Sequence, residues 1–306
     1  MATIHRLPRT AGDVTLGHAV GAYLATLDHP ETASTRRVYG NTYRALLAGF
    51  GEDADTGDLS PAALGAWFTS RWAAARPATW DTNRGALRSL LNYCEAQGWI
   101  ASAAELIRGV ETRKLSPDRS RALSRAGVEH LLTDERFPLR ERTLWRLLYE
   151  TAARSAEVLA LNVEDLDLPN RRAKVRRKGG AVDIIVWQTG TARLLPRLLK
   201  GRKSGPVFVT ERKARVQLPS CDLDEHGRAR LSYQQAEALF TAASGGATMH
   251  QLRHSALTHD AEDGTGTPML MARSGHTSVR SLAKYARVSA EALARHQAER
   301  DPARRR

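Results

Sequence analysis

Apolar residues recur every three or four positions through the first hundred residues, and this spacing restricts that part of the chain to helices. The first stripe contains Leu16, Val20 and Leu24 and stops before Pro30, and Ser60-Pro61 is a typical start for a later one. The stripes cover residues 16–27, 32–50, 61–72 and 79–97. Four helices in this length predict a small bundle.

A change of composition separates this bundle from the rest of the chain. Residues 113–121 read Arg-Lys-Leu-Ser-Pro-Asp-Arg-Ser-Arg, a polar, basic and proline-containing stretch of the kind that joins domains. Ser124 then suits the N-cap of a new helix. We predict a first domain over residues 1–112, a linker over 113–122, and a second domain with a C-terminal tail over 123–306.

The second domain mixes helical and strand patterns. Residues 139–161 read as helical with an interruption near Arg154, and two short strands flank a Lys178-Gly179-Gly180 turn. The predicted strands cover residues 173–177, 182–187 and 207–209, and the helical patterns cover 189–199, 232–243, 250–261 and 279–286. The polar stretch 211–230 has no clear pattern. The sequence therefore predicts a mostly α protein with a small β-sheet, an α+β fold.

The charge of the chain indicates a polyanionic partner. Its 46 lysines and arginines outnumber its 33 acidic residues, which gives a formal net charge of +13. Like charges oppose compaction, whereas they attract DNA phosphates whatever the base sequence. Double-stranded DNA is the predicted partner, although a basic protein without such a role stays an alternative. The candidate phosphate contacts are Arg36, Arg37, Arg44, Arg84, Arg88 and Arg177.

Neither a metal nor a cofactor is expected. Cys94 and Cys221 lie far apart and form no Cys-x-x-Cys spacing, which disfavours a disulfide framework or a cysteine zinc site. Residues 1–13 lack the apolar stretch of a secretory signal, and no apolar run is long enough to cross a bilayer. These features predict a cytoplasmic protein and, with DNA as its partner, one associated with the nucleoid.

Four short segments of the second domain carry the candidate chemistry. They are Arg154 with Glu157, Arg177-Lys178-Gly179, His250-x-x-Arg253, and Gly275-His276 followed nine positions later by Tyr285. Each segment alone has an ordinary explanation, such as a solvated charge or a core aromatic residue.

Taken together and in this order, the four segments resemble the tyrosine recombinase (phage integrase) family. The family pattern is Arg, Lys, His-x-x-Arg, Gly-His and Tyr, and every position is filled here. The chain departs from the family at Ala152-Ala153, where a glycine and a large apolar residue are usual, and at Ser274, where leucine is usual. Neither departure removes a catalytic group.

The chemistry of a phosphodiester gives the basic residues of this pattern a clear task. Arginine forks bind non-bridging phosphate oxygens bidentately and stay charged at any working pH. Arg154 and Arg253 would form such a clamp, and His276 would add a hydrogen bond. Glu157, one helical turn from Arg154, could orient its guanidinium or could form a plain surface ion pair.

The remaining residues supply the nucleophile and the proton transfers. Tyr285 would attack the phosphorus, and the resemblance implies that His250 takes its proton. Lys178 would protonate the departing 5′ oxygen, with Lys174 as the second candidate. The product would be a 3′-phosphotyrosine and a free 5′ hydroxyl, and the retained bond energy makes the step reversible without ATP or metal.

The resemblance also implies an architecture and an assembly. It implies a helical, SAM-like core-binding domain that precedes the catalytic domain, and a clamp of the two around duplex DNA. Four protomers would form a synaptic tetramer, in which the segment 286–306 could be exchanged between neighbours. Two other functions stay open: a type IB topoisomerase that relaxes DNA alone, and a DNA-binding factor of this fold without catalysis.

Overall fold

The computed structural model describes residues 14–29, 32–113, 122–177, 180–276 and 278–282, with the pairs 293–294 and 297–298. The chain divides into two compact units, Met1–Pro117 and Asp118–Arg306. The division falls inside the predicted linker. No helix in these described ranges is both long enough and apolar enough to span a membrane.

The first unit is a helical bundle. Its helices are α1 Leu16–Thr26, α2 Ala33–Phe50, α3 Pro61–Trp72, α4 Pro77–Ala96 and α5 Ala103–Ile107. Ser60 caps α3 by accepting the N–H of Ala63 at 3.2 Å, as its sequence context predicts. The short α5 was not predicted because five residues are too few to show a helical period.

The core of this bundle contains the apolar stripes together with one buried tyrosine. Tyr43 is fully buried, and its hydroxyl donates to the carbonyl of Ala86 at 2.9 Å, which satisfies the polar atom inside the core. Cys94 is buried in the same core. Helix α3 approaches the segment that follows α5 so closely that a Cβ on Gly65 would lie 2.2 Å from the Gly109 carbonyl oxygen. Only glycine fits there.

The second unit surrounds a central helix with further helices and two small antiparallel sheets. Its helices are α6 Arg125–Thr133, α7 Leu139–Thr151, α8 Ser155–Leu159, α9 Thr189–Leu199, α10 Tyr233–Ala243, α11 Met249–Glu262, α12 Thr267–Ser274 and α13 Val279–Leu282. The central helix is α7, which packs against α6, α9, α10 and α11. Trp145 of α7 contacts Phe137 and Phe240 edge to face within the apolar core of this unit.

The larger sheet carries the predicted hairpin. Its strands are β1 Leu166–Asp167, β2 Arg172–Arg176 and β3 Val182–Val186, in the order β1-β2-β3. Ala173, Val175 and Ile185 face the core, while the alternate residues face outward, as a half-buried sheet requires. The smaller sheet pairs β4 Val209–Lys213 with β5 Arg228–Arg230.

The observed fold confirms the predicted class, a mostly α protein with small β-sheets. Some details differ from the predictions. The strand predicted at residues 207–209 begins instead at Val209 and continues to Lys213, and the two-residue strand β1 was not predicted. The stretch 211–230 contains most of β4 and all of β5, whose polar, irregular pairing leaves no alternating pattern in the sequence. Helix α12 was not predicted because only two of its eight residues, Leu270 and Ser274, are buried.

Candidate active site

Arg154 stands at a break between two helices. Helix α7 ends at Thr151, Ala152 adopts a left-handed conformation with φ 49°, and Arg154 is the N-cap residue of α8. Glu157 of α8 accepts the main-chain N–H of Arg154 at 3.0 Å and its guanidinium at 2.8 Å. The Glu157 side chain is only 4% exposed and that of Arg154 is 40% exposed. The contact is therefore a buried carboxylate holding a guanidinium that stays accessible, not a surface ion pair.

Arg177 immediately follows β2 and precedes Lys178 in the sequence. Its side chain is 8% exposed, and its guanidinium donates to Glu157 at 2.7 Å and to Asp183 at 2.9 Å. Glu157 thus binds Arg154 and Arg177 at once. These partners favour an internal role for Arg177 over the predicted contact with DNA.

The turn after Arg177 is anchored on both sides. The Arg177 N–H donates to the Ala181 carbonyl at 2.8 Å, and the Gly180 N–H donates to the Arg177 carbonyl at 3.1 Å. Lys178, the expected proton donor, lies outside the described residues. Lys174, the second candidate, lies on the exposed face of β2 opposite Ile184.

His250 and Arg253 lie on α11, three positions apart and therefore on one side of that helix. Thr248 and Gln251 form a reciprocal cap at its start, with bonds of 3.1 Å and 2.9 Å. His250 is exposed in the first turn. Arg253 is buried, with its residue surface 3% exposed.

The guanidinium of Arg253 connects two of the other segments. It donates to the main-chain carbonyl of Ala152, at the break before Arg154, and to that of Ser274 at 2.7 Å. Ser274 ends α12, just before Gly275 and His276. Arg253 therefore fixes, through the backbone, the chain segments that carry Arg154 and His276.

Ser274 has a second contact that the sequence did not reveal. Its hydroxyl lies 2.7 Å from Nδ1 of His276. A hydrogen bond at Nδ1 orients the imidazole ring and sets which proton the other nitrogen carries. Leucine is usual here in the family that the sequence resembles, so the departure at Ser274 supplies a polar partner for His276 that leucine cannot provide.

A neighbouring polar cluster connects α11 and α12 to the C-terminal end of α7. Arg273 of α12 pairs with Asp260 of α11 and donates to the carbonyls of Tyr149 and Glu150 in α7, at 3.0 and 2.6 Å. Burial, partly offset by Arg273, raises the pKa of Asp260. His259 accepts or donates a 2.7 Å bond with the Tyr149 hydroxyl, and burial lowers the pKa of this histidine. No sequence motif marked this cluster.

Tyr285, the expected nucleophile, lies outside the described residues. Among the described ones, the structure joins Arg154, Glu157, Arg177, Arg253 and His276 through the contacts above, directly or through the backbone. No group of three or more histidine, cysteine, aspartate or glutamate side chains in the described ranges could hold a metal ion.

The predicted phosphate contacts of the first unit lie mostly at its surface. Arg36, Arg37 and Arg44 line a hollow of about 660 Å³ between α1 and α2. Arg88 is exposed on α4, whereas Arg84 is half-buried and donates to the Val110 carbonyl at 2.9 Å.

Comparison with known proteins identifies the family. The sequence pattern of the phage integrase family matches residues 122–292, more than half of the chain. The chain belongs to the phage integrase family. This confirms the resemblance drawn from the motifs, and with it the enzyme class, tyrosine recombinases, which cleave and rejoin DNA.

Relatives within this family share the greater part of the chain. Tyrosine recombinase XerC of Mycobacterium sp. (strain KMS) is 28% identical over 292 residues, which cover 90% of this chain and 94% of the relative. Tyrosine recombinase XerD of Mycobacterium leprae (strain TN) is 29% identical over 225 residues, covering 68% and 69%.

Solved structures show the same fold. The Tn1549 transposon integrase in complex with a circular intermediate DNA has a TM-score of 0.66 at 16% identity, covering 94% of this chain and all of that one. Lambda integrase bound to DNA has a TM-score of 0.67 at 17% identity, covering 90% and 96%. A lambda integrase dimer bound to a COC′ core site has a TM-score of 0.67 at 18% identity, covering 89% and 77%.

Proposed function

We propose that this phage integrase family member is a site-specific recombinase that cleaves and rejoins duplex DNA through a 3′-phosphotyrosine at Tyr285. One observation carries the proposal. Arg253 bonds the backbone just before Arg154 and just before Gly275-His276, so three segments far apart in sequence meet at one place. The order of the motifs and the family membership support the same reaction.

The phosphate clamp consists of Arg154, Arg253 and His276. Arg154 offers an accessible guanidinium, which Glu157 holds in one orientation. Arg253 adds a second positive charge from its buried position, and His276 donates a hydrogen bond to a non-bridging oxygen. These groups are in place before charge builds up on the pentavalent phosphorus. Each preorganised donor of this kind can therefore stabilise the transition state by about 3 kcal/mol.

Tyr285 attacks the phosphorus while the bond to the 5′ oxygen breaks. A phenol has a pKa of about 10 and is protonated at neutral pH, so His250 takes its proton as general base. Lys178 protonates the departing 5′ oxygen as general acid. Attack by another strand's 5′ hydroxyl reverses these transfers and releases the tyrosine.

The two compact units, Met1–Pro117 and Asp118–Arg306, support a division into two domains. We assign residues 1–112 as the core-binding domain and 123–306 as the catalytic domain, with phosphates bound by Arg36, Arg37, Arg44, Arg84 and Arg88. The DNA complexes of the Tn1549 and lambda integrases and the lambda dimer on its core site support DNA binding and self-association. We infer a tetramer in synapsis, with the segment 286–306 exchanged between protomers, and a location on the nucleoid.

A nicked DNA duplex that traps the covalent product tests the proposal. The wild-type protein should form a protein–DNA adduct, and Tyr285→Phe should form none. Tyr233→Phe is the matched control, because Tyr233 is an exposed tyrosine of the same unit. An adduct that persists in Tyr285→Phe would remove Tyr285 as the nucleophile, and DNA binding without any adduct would indicate the catalytically silent factor. Recombination between two sites, compared with relaxation of a one-site plasmid, separates a recombinase from a topoisomerase.

A further inference from the structure

Arg177 is held by groups from three other elements of the second unit. Nη1 donates to Glu157 of α8 at 2.7 Å, and Nε donates to Asp183 of β3 at 2.9 Å. The guanidinium also lies against the backbone at the end of α12, where a Cβ on Gly275 would be 2.6 Å from Cζ of Arg177. Gly275 has φ +63° and immediately precedes His276.

We propose that Arg177 is a positioning residue for the cleavage reaction, acting through Glu157 on Arg154 and through Gly275 on His276. The inference rests on the proposed function above. Arg177 itself contacts neither the phosphate nor the bases. It keeps two phosphate-binding side chains, Arg154 and His276, at a constant separation.

The hydrogen bonds of Glu157 explain how the effect reaches Arg154. Oε1 of Glu157 accepts from Nη1 of Arg154, and Oε2 accepts from the Arg154 main chain and from Arg177. With three donors from two directions, the carboxylate has one orientation. Charges alternate along Arg154, Glu157, Arg177 and Asp183, so the buried carboxylate is neutralised on both sides.

The contact with Gly275 explains how the effect reaches His276. The guanidinium lies so close to Gly275 that a Cβ there would come within 2.9 Å of Cζ, Nε and Nη1, and its two carboxylate partners hold it in that position. The backbone at Gly275 is therefore supported by the Arg177 guanidinium, and the carbonyl of the preceding residue, Ser274, accepts a hydrogen bond from Arg253. His276 follows directly from this braced segment.

The same contacts argue against a phosphate contact by Arg177. Nε and Nη1 are engaged by carboxylates. Nη2 is enclosed and has no hydrogen-bond partner in the part of the chain that the structure describes. The Arg177 side chain is 8% exposed, against 40% for Arg154, so its guanidinium is not presented to a phosphate as that of Arg154 is.

The decisive measurement separates DNA affinity from the rate of chemistry. For each variant, the Kd for DNA and its dependence on salt are compared with the single-turnover rate of adduct formation at saturating nicked duplex. Arg177→Gln should lower the saturating rate about 10- to 100-fold, as expected for loss of a supporting contact that aligns catalytic groups. Its Kd and salt slope should match those of Arg176→Gln, an exposed neighbour on β2.

The conservative variant gives a second readout. Arg177→Lys keeps the charge but cannot bridge Glu157 and Asp183 with a planar fork, so it should recover only part of the lost rate. Full recovery would mean that charge alone matters and would overturn the positioning role. If Arg177→Gln does not fold, Asp183→Asn provides the test instead. It removes the charge of the more exposed of the two carboxylate partners of Arg177 and leaves Glu157 in place. The rate should then fall at unchanged Kd, and an unchanged rate overturns the proposal.

A DNA substrate with sulfur in place of the bridging 5′ oxygen identifies which groups Arg177 positions. A thiolate leaves without protonation, so this substrate should rescue Lys178→Ala but not Arg177→Gln. Rescue of Arg177→Gln would place the effect on the Lys178 turn and overturn the proposal. The proposal would also be overturned if Arg177→Gln bound DNA more weakly, with a salt dependence of log Kd lower by about one and an unchanged saturating rate. That is the pattern of a lost direct phosphate contact.

Failure of the proposed function would look different from failure of this inference. If the wild type forms no adduct, or Tyr285→Phe still forms one, the recombinase reaction is refuted whatever Arg177 does. If the wild type forms the adduct through Tyr285 and Arg177→Gln is as fast, only the role of Arg177 is refuted.

Discussion

Replacing Glu157 by glutamine is expected to destabilise the second unit and slow DNA cleavage together. The substitution keeps the shape of the side chain but removes its negative charge and one of its acceptors. Glu157 now accepts three hydrogen bonds, two of them from Arg154 and one from Arg177. In Glu157→Gln, Arg177 keeps only Asp183 as its carboxylate partner, and that partner is 43% exposed.

The size of the effect follows from the burial of these groups. Hydrogen bonds to a charged group contribute about 1.5–3 kcal/mol, and removing one partner of a buried ion pair costs about 3–5 kcal/mol. Glutamine retains one acceptor, so we expect a loss of about 2–3 kcal/mol in the free energy of unfolding. For a unit of this size that corresponds to a fall of about 4–12 °C in Tm.

Scanning calorimetry measures this loss, and a matched substitution controls for it. Glu129→Gln removes a carboxylate that is 65% exposed and 3.8 Å from Arg146, so it should cost at most about 1 kcal/mol. Adding Arg177→Gln to Glu157→Gln should cost much less than the sum of the two single changes, because both remove the same interaction. If Glu157→Gln is no more destabilising than Glu129→Gln, or the two changes add, the buried network is not the source of stability described here.

Two further predictions concern other contacts of the second unit. Ser274→Ala removes the hydroxyl beside Nδ1 of His276 and should slow adduct formation at saturating DNA about 5-fold, the equivalent of one hydrogen bond of about 1 kcal/mol. Ser255→Ala, which removes another buried serine, should leave that rate unchanged, and an equal slowing would show that packing is responsible. Burial lowers the folded-state pKa of His259, so the unfolded chain binds more protons, and the stability present above a pH of about 6.5 should be lost as the pH falls through the folded pKa. In His259→Gln, the free energy of unfolding should decline less steeply below that pH. Urea titrations at a series of pH values measure this dependence, and the same dependence on pH as in the wild type would contradict the assignment.

Local patterns in the sequence were enough to predict most of the helices and the larger sheet's hairpin. Helices α1 to α4 and α9 match their predicted ranges closely, because each has an apolar period and a recognisable start or end. The β2–β3 hairpin was also predicted, since a glycine-containing turn separates two alternating segments. Helices α5 and α12, strand β5 and all of β4 beyond Val209 escaped prediction, because they are too short, too exposed or too polar to leave a pattern.

The sequence by itself determined which chemical groups this protein has and in what order. It also determined local arrangements, because residues such as His250 and Arg253 lie within a single helical turn. The tertiary structure decided what those groups touch. Arg253 reaches a carbonyl 101 positions away, and Arg177 reaches a carboxylate 20 positions away. Such contacts depend on how the ends of separate helices and strands pack, so the burial of Arg177 and the bond between Ser274 and His276 had no local signal.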